Sequence, residues 1–137
     1  MIEYGLHRYV FHADISNAVI RRLVNGFHAE HHEMPRDADR LLVRTPYALG
    51  VSALLYGPVL ILTADWFRAM GALAGIWLGF LYYEAVHYRV HLTIGAAGLI
   101  GRQRKAHFHH HFRNPDQCFG VTTPLWDHIF GTKGDKF

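Results

Sequence analysis

The sequence predicts an all-α fold in which a membrane-spanning helical hairpin carries a histidine-rich helical cap. Two uncharged apolar runs lie close together near the middle of the 137-residue chain. All twelve histidines fall outside those runs. Only 18% of the residues are charged, against roughly 25% in an ordinary soluble domain, so neither a disordered chain nor an ordinary soluble globule fits well.

The first part of the chain predicts two helices. Residues 1–13 contain no proline and mix apolar with polar residues. A second helix is expected to begin at Asp14 or Ser16 and to end at Pro35, because proline cannot continue a helix. Its apolar residues recur at intervals of three and four, the period of one helix face. These residues are Val19, Ile20, Leu23, Val24 and Phe27. A polar, basic connector follows over residues 35–46.

The two uncharged runs predict the hairpin. The uncharged runs are residues 47–64 and 69–83, and residues 47–64 and 69–86 are the candidate transmembrane helices, since each has about the 17 to 20 residues needed to cross a hydrocarbon core. The four residues 65–68 between them permit only a tight turn, so the helices should be antiparallel. A buried hairpin in a soluble protein is the alternative, and two adjacent uncharged runs of this length disfavour it.

The remaining residues complete a single domain that extends over residues 1–137. A glycine-rich joint over 92–98 precedes a further helix over 99–112. Prolines, glycines and threonines then predict mainly loop over 113–137, with one short apolar turn around residues 125–130.

Charge and cysteine content narrow the environment and the partners. Of fourteen Lys and Arg residues, only Arg68 lies in the predicted turn. The side that holds the other thirteen and all the histidines is therefore expected to be cytoplasmic. The net charge of +3 suits an anionic membrane surface, and no nucleic-acid-binding motif is visible, so no nucleic acid partner is predicted. The single cysteine, Cys118, excludes an internal disulfide and a cysteine-rich zinc module.

Ten of the histidines form four clusters beside the apolar runs. Two clusters share the pattern His-x-x-His-His, whose members lie on one helical face about 100° wide. The members of a third pair lie four positions apart and share a helical face. The fourth pair, His7 and His12, lies about 140° apart on a regular helix. It is expected to reach two different metals or to flank a helix end, unless the helix bulges between the two residues. The clusters are His7 and His12; His28, His31 and His32; His87 and His91; His107, His110 and His111.

Clustered imidazoles of this number indicate a metal site. One ion cannot use ten ligands, whereas two ions with about five ligands each would retain one open position if six-coordinate. Structural zinc is four-coordinate and usually bound by cysteine. Imidazole alone suits iron, copper, nickel and zinc. His109 and His128 belong to no cluster and are predicted not to be ligands.

Six carboxylates are candidates to accept the free N–H groups of ligand imidazoles. Glu84 is the strongest, because a charge at the hydrophobic boundary needs a partner. The six are Glu30, Glu33, Asp37, Glu84, Asp116 and Asp127.

The four motifs resemble those of the membrane fatty acid hydroxylase and sterol desaturase superfamily, over nearly the whole chain. The fatty acid 2-hydroxylase-like branch is closest, because of the His87 and His91 pair and the Pro35-x-Asp37-x-x-Arg40-Leu41 stretch. The resemblance also includes the segments EYGLHRYVFH, KAHFHHHF and FGVTTPLWDHIFGT.

This resemblance implies a di-iron mono-oxygenase that uses dioxygen and two external electrons to hydroxylate an unactivated C–H bond of a membrane lipid, with a fatty acyl chain favoured. The ten clustered histidines would hold two iron ions, for which zinc can substitute in a structure, and no further catalytic side chain is predicted. The alternatives are a carotenoid-ring hydroxylase, a sterol desaturase-type oxidase and a catalytically idle metal-binding membrane fragment.

The resemblance also brings out two differences. Family members usually have another transmembrane hairpin before the first motif, whereas this chain begins six residues before His7. We therefore expect it to lack an N-terminal hairpin. The sequence has no cytochrome b5-like domain, so the electrons are expected from a separate protein of the cytochrome b5 or ferredoxin kind.

Overall fold

The computed structural model describes residues 1–134 and is all-helical over that range, as the sequence predicts. The last three residues of the predicted tail lie outside the described part. Eight α-helices and one π-helical turn follow each other within residues 1–134. They are α1 (Ile2–Leu6), the π turn (His7–Phe11), α2 (Ala18–Phe27), α3 (Ala29–Glu33), α4 (Ala38–Leu41), α5 (Thr45–Thr63), α6 (Trp66–Leu92), α7 (Gly98–Phe112) and α8 (Leu125–Ile129).

Helices α5 and α6 pack against each other as the predicted hairpin. Both are long and apolar enough to cross a membrane. No residue of α5 is buried within the protein, and Ile61 and Leu62 are 80% and 84% exposed. The core helix of a soluble protein would be mostly buried, so the soluble-hairpin alternative fits poorly. This apolar surface is one that a lipid bilayer would cover.

The helix bounds differ from the predicted ones at the turn of the hairpin. Residues 65–68 were expected to form the turn, but only Ala64 and Asp65 separate the helices. Ala64 adopts a left-handed conformation with φ 50°, and the Asp65 carboxylate accepts the Arg68 backbone N–H at 2.9 Å. That N-cap starts α6 three residues earlier than predicted. Because α6 also extends to Leu92, a single helix joins the apolar hairpin to His87 and His91.

The second predicted helix is divided into two. Asn17 caps α2, since its side chain accepts the backbone N–H groups of Val19 and Ile20, so neither Asp14 nor Ser16 begins the helix. His28, with φ −135°, interrupts the predicted continuous helix, and α3 follows it. The His28, His31 and His32 motif therefore lies across a helix break and not within one continuous helix.

The tail after α7 is part of the core rather than a peripheral loop. Val121 is fully buried against Val86 and Val90 of α6. The Glu3 carboxylate of α1 accepts the backbone N–H of Val121 at 2.6 Å, and it also accepts the backbone N–H and the hydroxyl of Thr122. The tail therefore connects α1 to α6 and places itself beside the histidines.

Candidate metal centre

The ten clustered histidines lie together in two groups of five. Within each group the potential ligand atoms all lie within 4.8 Å of one another. Group 1 contains His7, His12, His28, His32 and His110. Group 2 contains His31, His87, His91, His107 and His111. His109 and His128 belong to neither group.

Each His-x-x-His-His motif contributes to both groups. In the first motif, His28 and His32 join group 1 while His31 joins group 2. The second motif does the reverse, because His107 and His111 join group 2 while His110 joins group 1. Residues four apart point in nearly the same direction on a helix, whereas the neighbour of the second one is rotated by about 100°. Each motif thus gives one group a pair and the other a single imidazole.

The remaining two clusters complete the groups. His87 and His91 lie one turn apart on α6 and both join group 2. His7 and His12 both join group 1, with ring centroids 5.1 Å apart. The π turn makes this possible, because the His12 N–H bonds the His7 carbonyl five residues back at 3.2 Å. The helix therefore bulges between them, which is the condition under which both imidazoles can face one point.

The Nε2 atoms approach each other at distances that suit a common ion. His28 Nε2 lies 3.1 Å from that of His7, 3.0 Å from that of His12 and 2.8 Å from that of His32. In group 2, His107 Nε2 lies 3.1 Å from that of His87 and 2.8 Å from that of His91. One neutral imidazole nitrogen cannot form hydrogen bonds with three others of its kind at once.

These distances match a set of ligands around one metal. Two nitrogens bound at about 2.1 Å and at right angles lie about 3.0 Å apart. Five imidazole donors exceed the four of a closed zinc site. The donor set contains no carboxylate or thiolate, so it differs from soluble di-iron bundles built on glutamates. Each of the two groups could hold one metal ion.

The two groups adjoin in one pocket. The rings of His32 and His111, which belong to different groups, stack with centroids 4.1 Å apart. His28 and His31 lie 6.0 Å apart by the same measure. The four sequence clusters thus converge on a single place at the end of α6.

Burial keeps the imidazoles outside the apolar hairpin in their neutral form. Desolvation lowers the pKa of His31 to about 4 and the pKa values of His32 and His110 to about 3. It also lowers the pKa of His7 well below its ordinary value, and neighbouring His110 lowers that pKa further. Neutral imidazole is the form that binds metal, so the cap holds these side chains ready as ligands at neutral pH.

The two groups differ in the hydrogen-bond partners of Nδ1, the ring nitrogen that does not face the other imidazoles of the group. In group 1, the Phe119 carbonyl faces His7 Nδ1 at 2.5 Å and the Gln117 carbonyl faces His110 Nδ1 at 2.8 Å. In group 2, all five Nδ1 atoms lack a hydrogen-bond partner within the described chain. The carbonyls of Leu41 and Pro35 face His87 and His91 without reaching hydrogen-bond geometry.

The predicted carboxylate partners have other contacts. Glu84 accepts the Val43 backbone N–H at 3.0 Å, and Glu30 pairs with Arg40 at 3.1 Å. Asp37 caps α4 and also pairs with Arg40. For Glu33, and likewise for Asp116 and Asp127, the described contacts include no hydrogen bond to an imidazole. For His7 and His110, backbone carbonyls of the tail hold that position instead.

Sequence reasoning missed Gln117, Phe119 and Glu3. The first two act through backbone carbonyls, which every residue type carries, so their side chains give no signal. Glu3 acts by holding the tail against α1, and only the tertiary contact reveals its role. The available signal for Phe119 is the segment FGVTTPLWDHIFGT, which is part of the family resemblance.

The fold and the paired histidine groups define a class: an all-helical protein with a candidate membrane hairpin and two adjoining all-imidazole groups that could each hold a metal ion. Residues 1–132 match the family model described as fatty acid hydroxylase, and the chain belongs to this family.

Characterised relatives agree with this assignment. The chain is 33% identical over 132 residues to a dihydroceramide fatty acyl 2-hydroxylase of Arabidopsis thaliana, covering 96% of this chain and 55% of that protein. It is 33% identical over 138 residues to the fatty acid 2-hydroxylase of Homo sapiens, covering 96% and 36%. The solved structure of full-length Scs7p, with only its hydroxylase domain visible, superposes with TM-score 0.85 at 31% identity, covering 97% of this chain and 51% of that one. The chain thus spans about a third to a half of the length of these relatives.

Proposed function

We propose that this chain holds two iron ions and hydroxylates C2 of a fatty acyl lipid. The observation that carries the proposal is the pair of five-imidazole groups in one pocket. The fatty acyl 2-hydroxylases among its relatives support the substrate class and the position. The same names do not favour the carotenoid-ring or sterol alternatives.

The position of the centre relative to the hairpin supports C2 as the target. The uncharged part of α6 ends at Tyr83, and His87 and His91 follow on the next two turns. With α5 and α6 across a bilayer, the histidine groups would lie at the end of the spanning segment, at the depth of the lipid headgroups. C2 lies next to the carbonyl of an acyl chain, so it lies at that same depth when the rest of the chain is in the hydrocarbon.

The chain's own residues provide a rigid set of ligands. Group 1 comes from the π turn and its C-cap, the α2–α3 break, α3 and α7, while group 2 comes mainly from α6 and α7. When bound, the iron ions would supply the reduction of dioxygen that C–H hydroxylation requires. The overall reaction combines the C–H bond, one O₂, two electrons and two protons, and yields the alcohol and one water.

The protein in detergent or lipid, loaded with iron and given a reductant and ¹⁸O₂, tests this proposal. We expect a fatty acyl lipid to gain one ¹⁸O atom at C2, as detected by mass spectrometry, with two irons per chain. Apo-protein and His110→Ala provide the controls and should give no labelled product. Two irons per chain without labelled product from free fatty acids, ceramides or acyl phospholipids would favour the idle metal-binding alternative.

A further inference from the structure

We propose that Asp127 is a positioning residue for group 1 alone, acting on His7 and His110 through the backbone of the tail. The inference rests on the proposed metal binding, because it concerns how one of the two metal sites is kept in shape. It differs from the expectation that Asp127 accepts an imidazole N–H directly.

Asp127 is a buried carboxylate whose hydrogen bonds all converge on the tail. It is 1% exposed. Its Oδ1 accepts the Phe119 backbone N–H and the Thr132 hydroxyl, each at 2.8 Å. Its Oδ2 accepts the Gly120 backbone N–H at 2.9 Å. An ionised carboxylate that accepts three hydrogen bonds fixes the position of the peptides that donate them.

Those peptides carry the carbonyls that face group 1. The Phe119 carbonyl, on the residue whose N–H binds Asp127, accepts from His7 Nδ1. The Gln117 carbonyl, two residues earlier, accepts from His110 Nδ1. Between them Cys118 adopts a left-handed conformation with φ 58°, and its N–H bonds the Thr132 carbonyl at 2.8 Å. Both carbonyls therefore depend on one short loop that Asp127 and Thr132 hold.

The Asp127 carboxylate lies close against the loop backbone at Gly120. A Cβ atom at Gly120 would lie 2.7 Å from Asp127 Oδ2 and 2.2 Å from the Thr123 carbonyl oxygen. Both distances are shorter than real Cβ contacts, so glycine is what permits the close approach. The Asp127 carboxylate therefore packs directly against the Gly120 backbone.

The effect should be confined to group 1. A carbonyl that accepts from Nδ1 fixes the tautomer and ring direction, and leaves the Nε2 lone pair for the metal. Two of the five group 1 rings are held in this way, whereas no group 2 Nδ1 atom has a hydrogen-bond partner within residues 1–134. Displacing the loop therefore changes the direction of two ligands of one ion and none of the other.

Asp127→Asn tests the inference by metal content rather than by turnover. The amide retains one acceptor oxygen and places an NH₂ group against a backbone N–H, so at least one loop contact is lost. We expect a loss of about 10- to 100-fold in affinity at one site, the usual effect of changing a ligand's hydrogen-bond partner. After dialysis, the variant should contain one ion per chain where the unchanged protein contains two.

Two backgrounds identify the site that is lost. His111→Ala, which damages group 2, should leave one ion, and adding Asp127→Asn should remove it. His12→Ala, which damages group 1, should also leave one ion, and adding Asp127→Asn should have no further effect. Equal loss in the two backgrounds would overturn the inference.

Val121→Ala is the control for simple destabilisation. This fully buried residue lies in the same tail, and its side chain belongs to the apolar cluster with Val86 and Val90. It should lower the melting temperature and retain both ions. If it loses the group 1 ion as readily as Asp127→Asn does, Asp127 has only a structural role and the inference is wrong. If the unchanged protein never holds two ions, the proposed function itself fails.

Discussion

At the scale of single residues, neighbouring positions have different roles in the centre. His110 is fully buried and belongs to group 1, while His109 beside it bonds the Gln117 side chain at 2.9 Å. A rotation of about 100° along the helix accounts for the difference.

His110→Ala and His109→Ala should therefore differ. Loss of the His110 imidazole removes one of five donors and leaves the Gln117 carbonyl without its partner. We expect His110→Ala to contain one ion per chain and to lose turnover at least 100-fold, and His109→Ala to retain two ions and most of its turnover. Metal analysis of both purified variants checks this. Equal metal loss would mean that the ligand face has been misassigned.

The same burial predicts how the metal-free protein responds to acid. The folded pKa is about 4 for His31 and about 3 for His110, against about 6.5 in an unfolded chain. Below about pH 6.5 the unfolded chain therefore binds protons that the folded chain does not. The free energy of unfolding should fall with decreasing pH, by up to about 1.4 kcal/mol per pH unit for each such histidine.

Thermal unfolding of the metal-free protein at pH 7.5 and pH 5.5 measures this effect. We expect a clearly lower melting temperature at pH 5.5. A melting temperature that is the same at both pH values would contradict the burial of neutral imidazoles.

At the scale of elements, the π turn brings His7 and His12 to the same group. His12 lies five positions after His7, and a regular helix would place the two side chains about 140° apart. The extra residue in the turn brings both rings to group 1. The other histidine pairs within one group are spaced by four positions, as a regular helix requires. The π turn gives the pair with a spacing of five the same geometry.

Changing the length of this turn should have asymmetric effects. Deleting Val10 leaves a four-residue spacing that a regular helix can accommodate, so both ions should remain. Inserting an alanine after Val10 rotates His12 by about a further 100° and should remove one ion. Metal content again provides the measurement. Retention of both ions after the insertion would show that His12 is not needed in group 1.

At the scale of the whole molecule, the hairpin and the cap require different environments. Most apolar side chains of α5 face outward, whereas the histidine pocket is buried at one end of α6. The position of the charges predicts the orientation, since thirteen of fourteen Lys and Arg residues lie outside the hairpin and its turn.

A reporter fused at the turn tests that orientation. Inserted next to Trp66, it should be found on the side of the membrane away from the cytoplasm, while a reporter at the C-terminus should be cytoplasmic. Arg68→Glu serves as a matched control, because removing the single basic residue of the turn should strengthen the same orientation. A cytoplasmic turn would reverse the predicted topology.

Local periodicity and residue chemistry determined much of this protein. Uncharged runs of sufficient length predicted the hairpin, because apolar length is a property of sequence alone. Four-residue histidine spacing predicted shared faces, because helix geometry is local. The identity of the ten clustered imidazoles needed no tertiary information.

Only the tertiary structure decided how those imidazoles are shared between two groups, since His31 and His32 are neighbours in sequence but contribute to different groups. It also decided that the turn over 64–65 is shorter than expected, that His28 interrupts a helix, and that His7 and His12 meet across a π turn. The role of the tail was hidden for a physical reason. Its contacts with His7 and His110 are made by backbone carbonyls, whose direction depends on long-range packing and on no particular side chain.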